Sequence, residues 1–244
     1  MNSELVFLLL LPLVAFLYAA VGHGGASGYL ALMAIFSFAP DELKSTALLL
    51  NIFVSSISFY HFWKGGFFNR KLFLYFAIGS IPLSFIGGMY DVDTHLYKII
   101  LGVLLLFAIA KMLNLFGKES NEIRGIKWFQ GVIVGGVIGF FSGLIGIGGG
   151  IILSPVILLM KWGKMKEAAA VSALFIWVNS VSGMAGQLWN GVSLYSEAWL
   201  FVGLAVVGAY FGGLVGSSKM NNISLRYLLA FVLVLASVKL FIVH

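Results

Sequence analysis

The chain has 244 residues, of which 61% are apolar and 10% charged, with 15 Lys and Arg against 9 Asp and Glu. Soluble domains carry about 25% charged and roughly 45–50% apolar residues, so this balance excludes a water-soluble globular protein and points to an integral membrane protein. The absence of cysteine excludes disulfides and thiolate chemistry. The net charge of +6 fits basic residues that orient helices at membrane edges rather than a nucleic-acid surface.

In chain order, apolar runs fall at about 5–21, 26–40, 43–62, 72–90 and 96–116, and again at about 128–145, 150–162, 168–189, 198–216 and 224–243. The first run follows Glu4 and has no Lys or Arg before it. A signal peptide opens with positive charge, so this run is expected to remain as a helix. Period-2 alternation is absent, which argues against a barrel, and helices satisfy every backbone group inside lipid. A crossing takes about 20 residues. The runs 26–40 and 150–162 are too short, and each follows a glycine cluster: "GHGGAS" at 22–27 and "GIGGG" at 146–150.

The two clusters belong to a repeat. Gly22, Gly24 and Gly25 match Gly146, Gly148 and Gly149; Trp63 and Gly65 match Trp189 and Gly191; Gly87 and Gly88 match Gly212 and Gly213; Lys98, Leu101 and Lys111 match Arg226, Leu229 and Lys239. The expected organisation is a first membrane repeat at 1–116, a polar linker at 117–124 within "GKESNEIRG", and a second repeat at 125–244. Lys and Arg collect on the cytoplasmic side, and this rule sets the topology. If 128–162 crosses once, the 15 basic residues divide eight to seven; if it enters and returns, they divide twelve to three. The biased division predicts an all-α inverted repeat of 5+5 segments, with a glycine-tipped broken or re-entrant hairpin opening each half. Both termini then lie outside, and the loops at 64–71, 117–127, 161–167 and 219–226 face the cytoplasm. The first hairpin follows by analogy with the second, because no basic residue precedes Lys44.

A turn inside the bilayer exposes backbone that protein or a wet cavity must cover. It also leads into a helix N-terminus, whose free N–H groups and partial positive charge favour anions. Inverted-repeat transporters bind substrate at such broken helices. The first turn supplies Gly22, His23, Gly24, Gly25 and Ser27 as candidate ligands, and the second supplies Gly146, Gly148, Gly149 and Gly150. Along the following helices lie Ser45, Thr46, Asn51, Ser55, Ser56 and Ser58, and Ser172, Asn179, Ser180, Ser182 and Gln187. Of these, Thr46, Asn51, Ser172 and Asn179 are expected to line the path. His23 and Ser27 stand where the second half has Ile147 and Ile151. His23 either donates to an anion and couples to protons or caps a backbone carbonyl. Ser154 before Pro155 reads as a helix start, leaving 146–153 irregular. Glycines at 131–143 and 203–213 are spaced along a helical face and read as close helix packing. No strand precedes "GIGGG", which excludes a dinucleotide loop. All nine acidic residues fall in loops or at segment ends, so nothing suggests a buried carboxylate relay, a metal site, a cofactor or an enzyme.

The motifs "GHGGASGYLALM" and "GLIGIGGGIILSPVILL", with "STALLLNIFVSS" and "SALFIWVNSVSGMAGQLWNG" downstream, resemble the sulfite exporter TauE/SafE family. The resemblance spans nearly the whole chain. It implies a multi-pass inner-membrane transporter of a small sulfur-containing anion: sulfite, thiosulfate, a sulfonate or a related organic acid. A passive anion channel and a non-transporting scaffold are the alternatives. The implied partners are the anion and the lipid bilayer. A homodimer, the direction of transport and the coupling ion, proton or sodium, stay open.

Overall fold

A computed structural model describes residues 3–36, 38, 40–90, 123–192, 197–225, 227–228, 230–231 and 234. Their regular structure is helical throughout: α1 (Ser3–Ala20), α2 (Ala26–Ile35), α3 (Pro40–Lys64), α4 (Arg70–Gly88), α5 (Trp128–Ile145), α6 (Gly150–Leu159), α7 (Met165–Trp189) and α8 (Ala198–Leu214), the last continued by a π-helical turn over Val215–Lys219. Five of these are long and apolar enough to cross a membrane: α3, α4, α5, α7 and α8 with its π turn. The expected segment at 96–116, thirteen of the twenty residues 224–243, the first part of the linker and the pairs Lys98/Arg226 and Lys111/Lys239 lie outside the described residues.

The helices are assembled as pairs. α3 and α7 pack on each other, with α2 lying on α3 and α6 on α7. α1 lies along α8, and α5 lies along α4. Lipid provides no hydrophobic drive between helices, so close backbone approach through small residues takes its place. Gly208, Gly212 and Gly216 stack on the main chain of Pro12, Phe16 and Ala20; Gly135, Gly139 and Gly143 stack on that of Phe76, Ser80 and Ser84. A side chain at any of these glycines would overlap the facing backbone. Serine hydroxyls add cross-links between helices: Ser58 Oγ to Ala19 O at 2.8 Å, Ser84 Oγ to Asn179 O at 2.8 Å and Ser182 Oγ to Ile81 O at 2.6 Å. Large apolar side chains such as Leu9, Ile78, Ile133 and Val207 point outward, as a lipid-facing surface requires.

The basic loops gather at one end of the bundle. There the Arg124 amide donates to Lys161 O at 2.7 Å. The Lys166 ammonium bonds Ser217 O at 2.9 Å and lies 4.8 Å from the centre of the Phe67 ring. Phe67, Lys164, Lys166, Glu167, Asn221 and Asn222 line a cavity of about 350 Å³ beside it. Away from this cluster, Lys44 Nζ bonds Tyr90 O at 3.2 Å and Asn190 Nδ2 bonds Met89 O at 3.1 Å.

Candidate functional site

Both glycine clusters are helix-breaking turns. After α1, the Gly22 amide returns to Ala19 O at 3.1 Å and the His23 amide to Tyr18 O at 2.9 Å. Gly22 and Gly25 then adopt φ of +81° and +95°, and α2 begins at Ala26. After α5, Gly146 closes the helix with its amide on Ser142 O at 2.8 Å, and Gly148 and Gly149 follow at φ of +73° and +74°. The left-handed conformation costs a residue with a Cβ about 1–2 kcal/mol, so the glycines are what let each chain turn here.

The second turn is shorter than expected. α6 begins at Gly150 rather than at Pro155, because the Gly149 carbonyl already accepts from Ile152 and Leu153, both at 3.1 Å. Ser154 and Pro155 lie inside the helix. The Ser154 hydroxyl pairs with Ser172 Oγ at 2.8 Å instead of capping, and only 146–149 are irregular.

The turns are seated at matching places on the central pair. Gly22 lies against the backbone of Ala169 and Gly146 against Lys44; these residues are four beyond the first residues of α7 and α3, Met165 and Pro40. Farther in, Gly24 and Gly148 both abut Asn51 and Ile176, each eleven residues beyond the same starts. The two turns therefore converge on one place, where α3 meets α7.

Asn51 joins the groups at this point. Its Oδ1 accepts from the Ala26 amide at 2.9 Å, which caps α2 from another helix, and its Nδ2 donates to Ser180 Oγ at 3.3 Å. His23 reaches from the first turn to the second, with Nε2 3.0 Å from Gly150 O. Ser27 pairs with the Tyr18 hydroxyl at 2.8 Å. Against these satisfied groups stand unsatisfied ones. The amides of Gly24, Gly25, Gly148 and Gly149 have no acceptor among the described residues. His23 Nδ1 and the Tyr29 hydroxyl are buried without a partner, and Tyr29 is fully enclosed beside Gly25. A buried polar group left unpaired costs about 1–3 kcal/mol, so the cluster suits a ligand that supplies the missing partners.

The expected site residues are not all brought together. Gly22, His23, Gly24, Gly25, Asn51, Gly146, Gly148, Gly149 and Gly150 line or adjoin the junction. Ser172 lies beside Gly150 through its carbonyl, and its hydroxyl oxygen accepts from Ser154. Asn179 turns away: its Nδ2 bonds Ser80 Oγ at 3.1 Å and Phe175 O at 2.7 Å, so it joins α7 to α4. Thr46 is buried with its hydroxyl unpaired. Sequence reasoning missed Tyr18, Tyr29 and Ile176. Ile176 carries no polar signal, whereas Tyr29 sits one helical turn after Gly25 and was open to discovery by that spacing. No cluster of three or more His, Cys, Asp or Glu suited to a metal is present among the described residues.

The sequence profile described as sulfite exporter TauE/SafE matches residues 7–240. A relative from Sinorhizobium fredii, named probable membrane transporter protein y4hK, is 36% identical over 233 residues, covering 93% of this chain and 94% of the relative. The probable membrane transporter protein YunE of Bacillus subtilis is 28% identical over 224 residues, 82% of this chain and 81% of its own length. A probable membrane transporter protein of Methanocaldococcus jannaschii is 29% identical over 236 residues, 89% and 87% of the two chains. No solved structure matches. With its apolar crossing helices and this family match over nearly its full length, the chain is a multi-pass membrane protein that belongs to the sulfite exporter TauE/SafE family of membrane transporters.

Proposed function

We propose that the protein is a secondary transporter of a small sulfur-containing anion, such as sulfite, thiosulfate, a sulfonate or a related organic acid, bound between the two glycine turns. The observation that carries this reading is the convergence of Gly24 and Gly148 on Asn51, with four glycine amides lacking acceptors around it. Two helices, α2 and α6, start from these turns, and their N-termini add partial positive charge. A small oxyanion needs several N–H donors and no fixed countercharge, which this arrangement offers.

The paired placements support an inverted repeat. Gly22 on Ala169 and Gly146 on Lys44 exchange the roles of the halves, as do Gly87 on Phe140 and Gly212 on Phe16. Each half thus seats its turn on the long helix of the other. In this reading the end with Lys161, Lys164, Lys166 and Lys219 faces the cytoplasm, both termini lie outside in the inner membrane, and the turns enter from opposite leaflets. Rocking of one half against the other would open the junction alternately to each side.

Flux into proteoliposomes tests the reading. Accumulation of an anion against its gradient, driven by a coupling ion, supports it. Purely dissipative flux would make the protein a channel, and absence of flux for every anion offered would make it a scaffold.

A further inference from the structure

We propose that a proton enters with the anion and sits between His23 Nδ1 and an anion oxygen; this rests on the reading that the anion lies between the glycine turns. A carbonyl oxygen only accepts hydrogen bonds. The 3.0 Å contact from His23 Nε2 to Gly150 O therefore places the ring hydrogen on Nε2. In the neutral ring, Nδ1 is then a bare acceptor, and it is buried without a donor. The nearby glycine amides need the opposite partner, an acceptor. A fully deprotonated anion satisfies the amides but sets its lone pairs against Nδ1. One proton on Nδ1 removes the conflict, because the ring nitrogen then donates to the anion oxygen. The proton also lowers the net charge brought into the low-dielectric core, and uncompensated charge there is costly.

Among the described residues around the turns, no other group is an unpaired proton acceptor of this kind, since the free Tyr29 hydroxyl already carries its proton. α1 and α2 present Tyr18 and Tyr29, of which Tyr18 is engaged with Ser27. α5 and α6 carry no titratable residue. α7 brings Lys166 and Glu167 only in its first turn; Lys166 is held by Ser217 O and Glu167 by the Lys164 amide. On α3, Lys44 lies against Gly146 with its ammonium on Tyr90 O; Asp41 and Glu42 stand at the start of that helix, and Tyr60, His61 and Lys64 at its far end. The second turn has Ile147 where the first has His23, so the coupling is one proton per protein.

The test is thermal stabilisation of the purified full chain by thiosulfate and methanesulfonate, both fully deprotonated between about pH 6 and 8, so that any bound proton must sit on protein. With one linked proton, the apparent Kd rises about tenfold per pH unit over that range. In His23→Gln, whose amide keeps an N–H for Gly150 but has no titrating nitrogen, the slope goes to zero. Stabilisation equal at both pH values in the parent chain overturns the proton while upholding the anion site. An unchanged slope in His23→Gln assigns the proton elsewhere and also overturns it. Absence of stabilisation by these anions and by sulfite overturns the anion site together with the proton. As a second readout, the ¹⁵N spectrum of histidine-labelled protein should show His23 Nδ1 unprotonated alone and protonated in saturating thiosulfate; no change on saturation contradicts the proposal.

Discussion

Gly24 and Gly148 abut the same side chain, Asn51, one at its Oδ1 and the other at its Nδ2. These glycines stand 124 residues apart in the chain and leave different helices, yet a single amide group separates them. Asn51 thus holds an acceptor toward the α2 N-terminus, through Ala26, and a donor toward α7, through Ser180.

Replacing Asn51 by Leu keeps the volume but removes both bonds. Loss of a cap of this kind costs about 0.5–2 kcal/mol of stability. The variant should fold and insert, with anion uptake reduced at least about tenfold, a loss equal to about 1.4 kcal/mol. Uptake by vesicles containing the variant, normalised to inserted protein, checks this; full uptake would remove Asn51 from the site.

Gly24→Val and Gly148→Val should each abolish uptake. At Gly24 an added Cβ overlaps Asn51 Oδ1, and at Gly148 it meets Ile176 and Ser180 while the backbone stands at φ +73°. Gly191→Val is the control: its φ of +85° is equally strained, but nothing lies within 4 Å. Uptake and membrane insertion measured together separate the effects, with the control expected to lose about 1–2 kcal/mol of stability and retain flux.

Helix packing gives a different pattern. Gly212→Leu and Gly87→Leu drive a side chain into the backbone of Phe16 and Phe140, and overpacking of this sort costs about 1–3 kcal/mol or more. Both should lower the unfolding temperature and the yield of monodisperse protein. Gly203→Leu, on the same helix as Gly212 with open space around it, should fall within about ±0.5 kcal/mol of the parent. Ser84→Ala loses one hydroxyl-to-carbonyl bond and should cost no more than about 1.7 kcal/mol, the upper range for such bonds between membrane helices.

The parts of this fold that were readable in advance are those with a one-dimensional signal. The breaks after Ala20 and Ile145 follow from clustered glycine between apolar runs, and these two helix ends fall within a residue or two of the apolar boundaries. The start of α6 at Gly150 differs from the one expected at Pro155, where Ser-Pro is a strong local helix signal. The glycine turn overrode it by presenting the Gly149 carbonyl five residues earlier. Asn179 is a path candidate by polarity alone; polarity does not reveal azimuth, and its Nδ2 bonds Ser80 on α4. Ile176 was invisible for the converse reason: an apolar residue at a polar junction leaves no trace in composition.

Sidedness is open to a clean test, because the chain has no cysteine and single substitutions need no prior removal. Gly66→Cys, Lys164→Cys and Asn221→Cys should be labelled by a membrane-impermeant maleimide only in inside-out vesicles, and Asn190→Cys only from the outside. Labelling of Lys164→Cys and Asn190→Cys from the same face would overturn the proposed crossing of α7.

The central claim is that an oxyanion rests between the two glycine turns, and crystals of the full chain soaked in selenite, a heavier analogue of sulfite, test it most directly. The account predicts an anomalous selenium peak between Gly24 and Gly148, with its oxygens about 2.7–3.2 Å from the glycine amides. Selenium found instead in the lysine-lined cavity beside Phe67, with the glycine amides unliganded, would contradict it.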